Sequence, residues 1–233
     1  MHSVREWAQA RHYAYHWVGD ELFDRLPDDL RPSRHISPVI ASDIARLVWM
    51  QDVLKQGCQN VVWLDADVLI FRPGQFSLAD TPCAVGREVW VQADATQRWR
   101  VHRKVHNAVI QASGGDDGHN SFIDFYCETA QRLVRANRGG MPAQFVGPKL
   151  LTALHNVVQL PVIECAGMLS PAVIDDLLMA GGDALACMLG KSKAPLHAAN
   201  LCRSSVHGEQ LEVAQMIRLI EQLLERPQLL DVA

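Results

Sequence analysis

Apolar positions recur every three or four residues in several stretches of the chain and run continuously or alternate in others, and the two periods mark helices and strands. Pro38 to Gln56 reads as a helix, with Ile40, Ile44, Leu47, Val48, Val53 and Leu54 on one face and Gly57 stopping it. Asn120 caps a second helix through about Ala136, whose apolar face is Phe122, Ile123, Phe125, Tyr126, Ala130, Leu133 and Val134. Ser3 to Arg11 has a Ser cap with Glu6 at capping-box spacing. Ser170-Pro171 opens a further helix in which Asp175 and Asp176 favour the N-terminal dipole, and Gly181-Gly182 ends it. Glu209 to Glu225 is amphipathic and closes the helical set.

Strand signals lie between these helices. His12 to Val18 alternates, Cys83 to Val91 and Val105 to Ile110 are mostly apolar, and Val157 to Ile163 is the last clear one. Asp20 to Pro38, Gln92 to Arg100 and Ser113 to Gly118 are polar or rich in Pro and Gly, and read as loops. Strands interleaved with helices predict an α/β fold, in a single domain over residues 1–233.

The most apolar stretch is Val61 to Phe71, which reads as a strand buried on both faces, yet it contains Asp65 and Asp67. Unpaired carboxylates buried in such a strand cost several kcal/mol, so they must be paired, protonated or placed where the strand ends and a cation reaches them. Residues two apart in a strand point to the same side, so the two side chains can converge on one hard cation. Oxygen ligands suit Mg2+ or Mn2+, which complete their shell with water and substrate phosphates.

Leu64-Asp65-Ala66-Asp67-Val68 resembles the DXD signature of nucleotide-sugar glycosyltransferases with the glycosyltransferase-A (GT-A) fold. Ser42-Asp43-Ile44-Ala45-Arg46, one helix earlier, is similar to the Asp-x-x-Arg block of the sugar-binding region in glycosyltransferase family 32 and the glucosylating toxins. The resemblance implies a Rossmann-like mixed sheet flanked by helices, a nucleotide-diphospho-sugar donor, an acceptor hydroxyl on a glycan, glycolipid or protein, and Mn2+ or Mg2+ held by the catalytic pair Asp65 and Asp67. It implies donor contacts from Asp43, Arg46, His106, Asn107 and Lys149. His197, in the segment Pro195 to Cys202, is implied as a further metal contact. A first strand is implied ahead of Ser3, where almost nothing precedes; the expected sheet lacks that strand, or the strand lies upstream of the present start. Side by side with these roles stand plainer ones: a surface ion pair for Asp43 and Arg46, a solvated Lys149, structural His and Asn side chains.

Composition narrows the field. A net charge of -4 argues against a nucleic-acid binder, which usually carries a basic stripe. The six cysteines are scattered without a Cys-x-x-Cys pair, which argues against a zinc ribbon and for reduced thiols in a cytoplasmic protein. The opening residues do not read as a signal peptide, and no apolar run is long enough to span a bilayer, while peripheral membrane contact stays open. Without a carboxylate assignable as a base, the expected transfer retains anomeric configuration. Two rivals are a catalytically degenerate GT-A domain that binds a sugar nucleotide or a partner, and a haloacid-dehalogenase-type phosphatase, whose motif also begins with an apolar strand and Asp-x-Asp.

Overall fold

The computed structural model describes residues 2–137, 139–202 and 212–232. Its helices are α1 (His2–Ala10), α2 (Pro38–Lys55), α3 (Ser121–Ala136), α4 (Leu150–Val158), α5 (Pro171–Leu178), α6 (Asp183–Leu189) and α7 (Val213–Glu225). Its strands are β1 (Asn60–Leu64), β2 (Val68–Ile70), β3 (Cys83–Ala93), β4 (Trp99–Ser113), β5 (Val162–Ile163), β6 (Ala166–Met168) and β7 (Ala198–Asn200). The fold is mixed α/β. One sheet runs β1-β4-β3-β5, antiparallel except for the β3/β5 pair, and a second runs β2-β7-β6. None of the described helices is long and apolar enough to cross a membrane.

Helix α2 starts where Ser37 Oγ accepts the Ile40 N–H and Pro38 occupies the first turn, and it packs on α3. Leu47, Met50 and Leu54 of α2 meet Ile123 and Tyr126 of α3 and Val85 and Ile110 of the sheet, all buried. Each such side chain contributes about 1.5–3 kcal/mol through burial. Helix α3 begins at its expected cap, Asn120, whose Oδ1 accepts from Ile123 N at 3.1 Å while its Nδ2 donates to Pro82 O and Ser113 O.

Several expectations are corrected. Val61 to Phe71 is not one strand buried on both faces: Val68 N donates to Asp65 O, closing a turn that hands the chain from the first sheet to the second. Strand β1 pairs only with β4 and is half-exposed, whereas β2 pairs with β7 and is buried. His12 to Val18 forms no strand. Ser3 does not cap α1; its hydroxyl accepts from Ile70 N at 3.2 Å. Gln92 to Arg100 is not an open loop, because β3 and β4 continue their pairing out to Ala93 and Trp99. Asp94 closes that hairpin by accepting from Thr96 N, Thr96 Oγ1 and Arg98 N. The polar sequence there reflects a ribbon tip wetted on both faces, which main-chain pairing holds together without an apolar signal.

Val157 and Val158 end α4, and only Val162–Ile163 pairs as a strand. Asp175 and Asp176 fall past the first turn of α5; Asp176 instead accepts from Leu185 N at the start of α6. The C-terminal helix begins at Val213, and Glu209 to Leu211 lie outside the described residues.

Strand β3 slips register between Val85 and Gly86, a bulge that sets Gly86 against the His106 ring. A Cβ at Gly86 would lie 2.2 Å from His106 Cε1, and His106 is fully buried. Gly86→Ala should therefore overpack the sheet by ~1–3 kcal/mol and lower Tm by roughly 2–12 °C. A melting curve superimposable on wild type would contradict this packing.

Candidate functional site

A cleft of about 1990 Å³ opens along the outer edge of β1. It is bounded by the extended segment Tyr13 to Val18, by α2, by one face of the β3–β4 ribbon and by the residues after β7. Asp65 N donates to Ala108 O, so by antiparallel alternation the odd residues of β1 bond β4 while Val62 and Leu64 turn their main-chain groups toward the cleft. That unpaired edge explains why an apolar strand is only half-buried.

Asp65, Ala66 and Asp67 form the turn at the end of β1 and line the cleft together. Arg46, buried on α2, reaches Asp65 through Nη1 at 2.9 Å to Oδ1 and 3.1 Å to Oδ2, and the same Nη1 donates to Asn107 O at 2.8 Å. Its Nη2 lies 3.1 Å from Asp43 Oδ1, which also accepts from Asn107 Nδ2 at 2.8 Å. Burial would lower the Arg46 pKa, but Asp65 and Asp43 raise it. Burial pushes the Asp43 carboxyl up to about 6 against the pull of Arg46 and Asn107. Asp43 Oδ2 has no hydrogen-bond partner among the described residues, and it presses on Gly147, where a Cβ would come within 2.3 Å. The Gly147-Pro148 segment ahead of α4 thus packs on Asp43.

The Asp43–Arg46 pair is accordingly not a surface ion pair. It is the buried end of a network that ties α2 to β1 and β4. Asp67 stands on the other side of the turn, where Asn200 Nδ2 donates to its Oδ1 at 2.6 Å and Leu201 N to its main-chain oxygen. Asn107 lines the cleft, as does Lys149, which is exposed.

Two expected residues are placed elsewhere. His106 is sealed behind the sheet, its Nε2 3.1 Å from Ala166 O and its Nδ1 accepting from Ala108 N, so it cannot touch a donor in the cleft. His197 precedes β7, three residues from the Asn200 that meets Asp67, and its main-chain oxygen accepts from Phe71 N and Arg72 N at the far end of β2. A strand advances about 3.3 Å per residue, so His197 lies about 10 Å along the strand from that contact. Among the described residues no group of three or more His, Cys, Asp or Glu side chains is placed to hold a metal. Asn200 is what the late segment brings to the site.

Sequence reasoning missed Asn200, Trp63 and Glu88. Trp63 Nε1 donates to Asp65 Oδ1 at 2.7 Å, a contact foreshadowed by the strand period that puts residues 63 and 65 on one side. Glu88 lines the cleft from β3, buried, and burial raises its carboxyl to about 7 despite Lys104. No family model, curated protein or solved structure matches this chain. The chemistry of the site is therefore read from its own residues.

At this corner the described residues set the carboxyl groups of Asp43 and Asp65 against Arg46 and bring Asn200 to Asp67. Asp65 and Asp67 are the oxygen donors of this turn that could hold a hard cation such as Mg2+ or Mn2+, and they reach the cleft from a turn, not from one face of a strand as expected.

His106 also sets a pH dependence. Burial holds its folded pKa down to about 4, below the ordinary 6.5, so the unfolded chain takes the proton first. The stability contributed is full above about pH 6.5 and is lost as pH falls toward 4, by on the order of 3 kcal/mol. His106→Gln should flatten the dependence of Tm on pH between 4 and 6.5; an unchanged slope would assign the acid sensitivity to another group.

Proposed function

We propose that this chain is a metal-dependent glycosyltransferase, transferring a sugar from a nucleotide-diphospho-sugar to an acceptor hydroxyl. The observation that carries the reading is the turn Asp65-Ala66-Asp67 at the mouth of a large cleft, braced by Arg46 on one side and Asn200 on the other. Its partners answer to the DXD and Asp-x-x-Arg patterns in the sequence, and the finer assignment to a GT-A fold rests on those patterns.

In this reading Asp65 and Asp67 hold Mn2+ or Mg2+, which supplies Lewis-acid stabilisation of charge on the departing diphosphate. Arg46 pairs with Asp65 at the cleft, and Trp63 Nε1 donates to the same carboxylate. Asp43 and Asn107, hydrogen-bonded to each other, present a polar wall to the sugar, and exposed Lys149 adds positive charge at the rim. Preorganised groups of this kind act without reorganising as charge develops.

A second reading is favoured by one observation: Asp65 is already engaged by both Arg46 and Trp63, as in a domain that binds a sugar nucleotide without turning it over. The two share a binding step and differ in turnover. In calorimetric titration with uridine and guanosine diphosphates, one nucleotide should bind with an affinity raised by Mn2+, and Asp67→Asn should weaken that metal-dependent binding by ~10–100-fold. Absence of nucleotide binding, or an unaffected Asp67→Asn, would remove the metal platform. Sugar release from the matching donor separates the transferase from the binding domain, and inorganic phosphate released from a phosphomonoester would point to the phosphatase instead.

A further inference from the structure

The β3–β4 ribbon continues past the Asp65 turn and presents a second set of side chains to the same cleft. In its antiparallel register Glu88 lies opposite Lys104 and Trp90 opposite His102, so all four share one face of the ribbon. That face lines the cleft, whereas Arg87 and Arg103 point to the reverse side and share Glu164. The strip adjoins the aspartate turn: Cys202, after β7, feels the negative charges of Asp67, Glu88 and Asp65 together.

Two features of the strip point to a ligand. Glu88 is buried, with 6% of its surface exposed, yet its carboxylate accepts no hydrogen bond from any described residue, while Asp43, Asp65 and Asp67 all have side-chain partners. The charge acting on it is that of Lys104 across the ribbon. Trp90 is half-buried beside it, and its indole N–H is committed to Gln92 Oε1 at 3.2 Å, which leaves the ring face as its contact surface. An aromatic plane next to an uncommitted carboxylate suits a ligand with one apolar face of C–H groups and a rim of hydroxyls.

We propose that Glu88, Trp90, His102 and Lys104 form the acceptor subsite and that the acceptor is a carbohydrate, its ring stacked on Trp90 and a hydroxyl donating to Glu88. This rests on the transferase reading for its role, though not for the binding itself. Hydroxyl donation to a carboxylate is the stronger, charge-assisted kind of hydrogen bond.

Saturation-transfer NMR on the full chain, with the methyl glycosides of glucose, galactose and mannose as probes, tests the subsite directly. At least one glycoside should receive saturation on its ring protons, with and without saturating uridine or guanosine diphosphate and Mn2+. Trp90→Ala should abolish the signal, Trp90→Phe should retain part of it, and Glu88→Gln should weaken binding at least 10-fold, each with a melting curve that shows a folded chain. Binding of none of the three, displacement by nucleotide, or binding that survives both Trp90→Ala and Glu88→Gln would overturn the subsite. Nucleotide binding without glycoside binding sinks this proposal and leaves the donor reading standing; glycoside binding without nucleotide binding does the reverse.

Discussion

The Arg46 guanidinium holds the site together. It is buried on α2 and bridges Asp43 on its own helix, Asp65 at the end of β1 and the main chain of Asn107 on β4. An ion left buried without its partners costs several kcal/mol, so the three elements are constrained to meet at one point. A lysine offers no planar fork and would not span the same set of oxygens. Because β4 is also the central partner of β1 and β3, fixing its Asn107 to α2 fixes the wall from which the β3–β4 ribbon extends.

Buried charge on this scale is weak evidence for stability, since an apolar core of equal volume is often as stable or more so. What the network supplies is position. Asp65 is held from two sides, by Arg46 and Trp63, and Asp67 is held separately by Asn200 from the second sheet. The turn therefore lies where the two sheets meet, and neither sheet alone supplies both supports. The cleft is lined by an arginine-braced acidic turn and, beside it, by the ribbon face that carries Glu88 and Trp90.

Much of the helical layout was legible because it is local. The cap at Asn120 and the apolar faces of α2 and α3 are written within a few residues of where they act. The acidic doublet was equally visible, as a polar interruption in the most apolar stretch. Extended structure was read less well, because pairing depends on partners far along the chain. Val61 to Phe71 looked like one buried strand since its composition is uniform, and only the separate partners β4 and β7 divide it. His12 to Val18 alternates like a strand and finds no pairing among the described residues.

By itself, then, the sequence determined the α/β class, the main helices and the acidic doublet within the most apolar stretch, because propensity, capping and apolar period act over short range. Tertiary structure alone decided the rest. It placed His106 behind the sheet and His197 at the wrong end of β7, brought Asn200 to Asp67 across 133 residues, and turned Glu88 into the cleft. A side chain's role depends on the face and the register on which pairing leaves it, and register is set by long-range hydrogen bonds that no single segment encodes.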